Sequence, residues 1–137
     1  MSKRDLRSDI KVLKGLFETI NTDTTTTGST IDTKDYVNMT MVIAATAYTD
    51  GTYTPVVYEG EESDMSDEAA IADTKLIPQS SAEAGCVVDA ADEVHTLGLI
   101  DNERYVRVKI TSASTSSGAT LTVLWLGEQE VKGVTQG

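Results

Sequence analysis

The chain has 137 residues, of which 22 are acidic and 11 basic, for a net charge of −11; the length suits one domain with a real core, and the charge excludes a general nucleic-acid binder, because a phosphate backbone would repel such a surface. A single cysteine, Cys86, excludes an intrachain disulfide and any thiolate metal site built from one chain. No run approaches the ~18 apolar residues of a membrane span and the start lacks the apolar stretch of a signal peptide, so no membrane association and synthesis in the cytoplasm are expected.

High threonine and serine content with only two prolines, Pro55 and Pro78, points to many short strands joined by small polar turns, an all-β chain rather than a helical bundle. Charge is unevenly spread: the first fourteen residues carry +3 and the remainder −14. A basic start on an acidic body suits docking or self-association, because opposite potentials steer encounter; it equally suits a solvated terminus. Leu6, Ile10, Leu13 and Phe17 share one face of a helix, while Ile10, Val12 and the run Leu16 to Ile20 fit an extended strand, and Gly15 weakens the helix. In either conformation these apolar residues are expected to pack on their own domain or on another chain. The segment 1–20 is therefore read as an N-terminal arm, 21–130 as the folded domain and 131–137 as a flexible tail.

Asn21 to Thr30 reads as a polar surface connector or edge strand. Tyr36 to Ala47 alternates with period two, Val37, Met39, Met41 and Ile43 facing inward, and is expected to be a central strand. Asp50-Gly51 signals a tight turn that sets its register against a strand from Tyr53 to Glu59. The carboxylates between Glu59 and Asp73 lack the spacing of a calcium loop and read as a solvated acidic loop, with one helical turn expected over Asp67 to Ala72 behind a Ser66 cap. Lys75 to Pro78 is a short strand and Gln79 to Gly85 a loop. Val94 to Ile100 and Arg104 to Thr111 are expected to form a hairpin about Asp101-Asn102, with Val106, Val108 and Ile110 inward. Ala119 to Gly127 closes the domain; Leu121, Val123 and Trp125 lie on one face, and Leu124 and Leu126 on the other, which suggests burial on both sides or a subunit contact.

Catalytic chemistry is not advertised. His95 is the only histidine, in mid-strand, with no nucleophile elbow, and its expected role is a hydrogen-bonded strand residue. Gly51, Gly60 and Gly85 stand in unrelated contexts, so no phosphate loop is present, and the few aromatics give little to build a sugar cleft. Neither an enzyme nor a cofactor is expected.

Ser8-Asp9-Ile10-Lys11-Val12, Ile31-Asp32 before Tyr36, Thr49-Asp50-Gly51-Thr52-Tyr53-Thr54-Pro55, Glu61-Glu62-Ser63-Asp64 and Arg104-Tyr-Val-Arg-Val108 together resemble a family of small structural proteins of tailed bacteriophages. The resemblance spans most of the chain. It departs at Gly15-Leu16-Phe17-Glu18, where the family carries a proline-containing extended segment, and in the acidic 65–93 region. It implies an antiparallel, jelly-roll-like β-sandwich that decorates the outside of a capsid as a cement protein, made in the host bacterial cytoplasm. The major capsid protein would be its partner. The apolar and basic start suggests a homo-oligomer, dimer or trimer, with Leu6, Arg7, Ile10, Lys11, Val12, Leu13 and Phe17 as capsid or subunit contacts. A phage tail or neck component and a carbohydrate- or surface-binding module are the alternatives.

Overall fold

Ten strands account for nearly all regular structure in the computed structural model, which describes residues 10–77 and 86–129. In chain order they are β1 (Ile10–Ile20), β2 (Thr25–Thr27), β3 (Ile31–Asp32), β4 (Tyr36–Tyr48), β5 (Thr52–Gly60), β6 (Ala69–Ala70), β7 (Leu76–Ile77), β8 (Val94–Leu99), β9 (Tyr105–Ala113) and β10 (Ala119–Gln129). One 3-10 turn, Asp73–Lys75, precedes β7. No helix among the described residues is long and apolar enough to cross a membrane.

The strands form two five-stranded antiparallel sheets: β1-β10-β4-β8-β7, and β2-β9-β5-β6 with β3 also on β9. Pairing is nested, β1 with β10, β2 with β9, β4 with β8 and β5 with β6, so the chain is one long hairpin rolled into a jelly-roll-like sandwich. Alternation dictates which residues meet between the sheets. Met39, Met41 and Ile43 of β4, Leu97 and Leu99 of β8, and Leu121, Val123 and Trp125 of β10 line the first sheet's inner face; Tyr53, Val57, Val106, Val108 and Ile110 line the second.

Several expectations change once the sheets are assembled. Residues 10–20 of the expected arm take the extended of the two conformations left open by the sequence, as β1, bonded to β10 along its length, but as part of the sandwich and not an appendage: Leu16 and Ile20 belong to the core. Residues 1–9, the expected loop over 79–85 and the expected tail over 131–137 lie outside the described residues. Asp50-Gly51 does not join a hairpin, because β4 and β5 belong to different sheets; it is a corner across the sandwich. The hairpin expected of Val94 to Ile100 and Arg104 to Thr111 fails likewise: β8 pairs with β4, and β9 with β5. Local turn signals specify that the chain reverses, not which strand it then pairs with. The segment expected as a helical turn at Asp67–Ala72 contains β6 on the edge of β5, and the Ser66 N–H is held by Asp64 instead. Val37, at the open end of β4, is exposed rather than inward.

The two ends of the sandwich are tied by polar groups. At one end the Asp50 carboxylate accepts the backbone N–H groups of Ser116, Ser117 and Gly118 at 2.9–3.1 Å, which fastens the β4–β5 corner to the β9–β10 connection. These bonds, Gly118 foremost, hold the Asp50 carboxyl below its ordinary value. Tyr48 and Tyr53 brace the same corner, their hydroxyls donating to the carbonyls of Gly51 (2.6 Å) and Asp50 (2.7 Å). At the other end buried Glu59 accepts from Lys75 Nζ and from the Glu103 N–H, both at 2.9 Å.

Candidate docking surface

With the inner faces fixed, the remaining positions of each strand form two outer faces, and these differ in chemistry. On the second sheet Arg107 Nε donates to Glu68 Oε1 at 2.9 Å and Lys109 Nζ to Glu68 Oε2 at 2.5 Å, while the Lys109 ammonium stands 4.7 Å from the centre of the Tyr58 ring. Partial burial would raise the Glu68 carboxyl, but the hydrogen bonds from Lys109 and Arg107 outweigh it and hold the group below its ordinary value. At the border of this sheet Arg104 grips Asp32 through two bonds, Nε to Oδ1 at 3.0 Å and Nη2 to Oδ2 at 2.9 Å. This face is closed on itself by charge pairs.

The first sheet's outer face is apolar. Register places Val12, Leu126, Thr40, Gly98 and Ile77 in one row across β1, β10, β4, β8 and β7. The next row is Lys14, Leu124, Val42 and Thr96, and beyond it lie Phe17, Thr122, Ala44 and Val94. Val12, Phe17, Ile77 and Val94 are each at least half exposed. These three rows contain no carboxylate, in a chain with 22 acidic residues. A contiguous, charge-poor apolar face on an acidic protein is the signature of a contact surface.

Of the contact residues expected from sequence, Val12 and Phe17 project from this outer face at its β1 edge, with Lys14 over the Phe17 ring at 5.1 Å. Lys11 and Leu13 stand on the opposite side of the same strand, opposite Gly127 and Trp125, and Ile10 lies at its start opposite Glu128. Leu6 and Arg7 lie outside the described residues. Sequence reading missed Val42, Ala44, Val94 and Ile77 as members of the same surface. Leu124 and Leu126 carried the available signal, apolar residues on the second face of a strand.

The groups that were candidates for chemistry are dispersed. Cys86 is buried, its Sγ directed at the Thr96 carbonyl at 3.6 Å. His95 Nε2 lies 3.4 Å from Glu93 Oε2 without completing the hydrogen bond expected of it. No group of three or more His, Cys, Asp or Glu side chains among the described residues is arranged to hold a metal. Four of the seven carboxylates between Glu59 and Asp73 are structural rather than merely solvated: Glu59 and Glu68 pair with Lys75 and Arg107, Asp64 accepts the Ser66 N–H (2.9 Å), and Asp67 accepts the N–H groups of Glu61 (2.9 Å) and Glu62 (3.2 Å).

No family model, no curated protein and no solved structure matches this chain.

Proposed function

We propose that the protein is a structural virion component that binds the outer surface of a tailed-phage capsid and stabilises the shell by bridging capsomers, with the major capsid protein as its partner. The observation that carries this reading is the contrast between the outer faces: one sealed by ion pairs around Glu68, the other apolar and free of carboxylates over its three central rows. The motif resemblance points to the same class. A rigid sandwich with one adhesive face suits repeated attachment to a lattice, where many modest contacts add up. The charged opposite face and the acidic ends would then point to solvent and keep decorated particles apart.

Purified expanded capsids mixed with the protein provide the test. Wild type should bind in many copies spread over the shell, and Ile77→Glu with Val94→Glu, both more than half exposed on the apolar face, should abolish binding while leaving the sandwich folded. A few copies confined to the portal or tail would replace the capsid reading with a tail or neck one, and no binding to phage particles would remove both. Deleting residues 1–20 is not a usable test, because it strips Leu16 and Ile20 from the core.

A further inference from the structure

The edge strand β1 carries three charges without ion-pair partners among the described residues, Lys11, Lys14 and Glu18. Of the five other described basic groups, four are matched, Arg104 with Asp32, Arg107 and Lys109 with Glu68, and Lys75 with Glu59, and Lys34 in the β3–β4 connection is the one that is not. β1 also carries two of the most exposed large apolar side chains, Val12 at 55 % and Phe17 at 50 %. It terminates the first sheet, so its outward backbone groups have no strand beside them.

From these features we infer that β1 pairs antiparallel with β1 of a second copy, about a two-fold axis perpendicular to the sheet, in the register that sets Lys11 opposite Glu18 and Val12 opposite Phe17. Such an axis keeps each face on its own side, so residues set opposite one another must share a face. In an uninterrupted strand Lys11 and Glu18, or Val12 and Phe17, would point to opposite faces, because their separations are odd. The register shift between Lys14 and Leu16 removes that conflict. Val12 and Phe17 lie opposite Leu126 and Thr122 on the outer face, whereas Lys11, Leu13, Leu16 and Glu18 lie opposite Gly127, Trp125, Val123 and Leu121 on the inner one.

The register then matches on both faces. Each Lys11 meets a Glu18, each Val12 a Phe17, and half-buried Leu13 meets Leu16. Sliding the strands by two residues sets Lys11 against Leu16, or Glu18 against Leu13, and leaves both of those charges unmatched. The Gly15 carbonyl is already taken by the Ser29 N–H at 2.7 Å, so the bulge lies at the axis and residues 10–13 of each copy pair with 16–19 of the other. Lys14, nearest the axis, is drawn onto the Phe17 ring of its own chain. For a chain of net charge −11, association through a strand with two lysines and one glutamate also avoids the repulsion that other surfaces would meet.

Charge exchange on the full chain, followed by sedimentation velocity, tests the pairing. Wild type should show a monomer–dimer equilibrium. Lys11→Glu and Glu18→Lys alone should each weaken it about tenfold, since each substitution creates two like-charge contacts, and the two together should restore it. Val12→Cys with Phe17→Cys in one chain should give a covalent dimer on oxidation; within one strand the two positions are about 16 Å apart and cannot join. A monomer at all concentrations, or a dimer indifferent to both charge reversals and giving no disulfide between positions 12 and 17 of the two copies, would overturn the inference. The pairing does not rest on the capsid reading, and capsid binding by a strictly monomeric protein would defeat it while leaving that reading intact.

Discussion

Asp50 shows how much one side chain decides. Its carboxylate receives three backbone N–H groups from the Ser116–Gly118 turn, donors that lie between strands and outside either sheet's ladder. Because its folded-state pKa is lowered, the stability it contributes is present at neutral pH and is lost as the pH falls through and below about 4, the ordinary aspartate range. Asp50→Asn should therefore lower the melting temperature at pH 7 and flatten its decline between pH 5 and pH 3, as followed by circular dichroism. Gly118 is constrained from the other side: its φ is +95°, and a Cβ there would run into the backbone of Ile20 and Asn21. Gly15 is constrained by packing, since a Cβ would come within 2.9 Å of Val123 Cγ1 and 3.0 Å of Trp125. Gly15→Ala should cost about 1–3 kcal/mol in denaturant unfolding, the usual range for overpacking a core. The sequence marks Asp50-Gly51 as a turn, yet nothing in it marks Ser116 to Gly118 as the partner, because that contact joins positions 66 to 68 residues apart.

At the scale of elements, alternation within a strand was readable and neighbours between strands were not. Met39, Met41 and Ile43, and Val106, Val108 and Ile110, could be assigned inward from their spacing, and all six are buried. β8 and β9 follow each other across a short turn yet enter different sheets, a choice set by what the remaining strands leave to be covered. β1 carries mixed helix and strand signals for a similar reason. Its bulge breaks the period of two at Gly15, so Leu13 and Leu16 share a face although their spacing of three resembles a helix. On the outer face of the first sheet, Ile77→Glu and Val94→Glu replace side chains that are more than half exposed. Each should change unfolding free energy by about 0.5 kcal/mol or less, far less than a core substitution. Removal of β1 is a different matter. A chain starting at Asn21 should fail to fold cooperatively, and the emission of Trp125, fully buried in the native sandwich, should shift to the red.

For the whole molecule, nested pairing makes most contacts distant in sequence: Ile10 is opposite Glu128 and Thr25 opposite Thr111. Loop-closure entropy must be spent before such contacts return anything, so refolding should proceed over milliseconds to seconds, to be checked by stopped-flow fluorescence of the sole tryptophan. The carboxylates of Asp32, Asp50, Asp64, Asp67, Glu68 and Glu93 are all held below their ordinary values, by hydrogen bonds or cations formed only on folding. Composition alone determined that the chain is acidic, rich in β-branched residues and without an intrachain disulfide, and alternation alone determined most inward positions, because both depend on residue type and nearest neighbours. The tertiary structure decided which strands pair, that Asp50-Gly51 spans two sheets, and that scattered residues such as Val12, Val42, Leu124 and Val94 share one outward face. Those outcomes depend on distant segments competing for the same sheet edges, and a pattern with a period of two residues carries no address for a partner a hundred positions away.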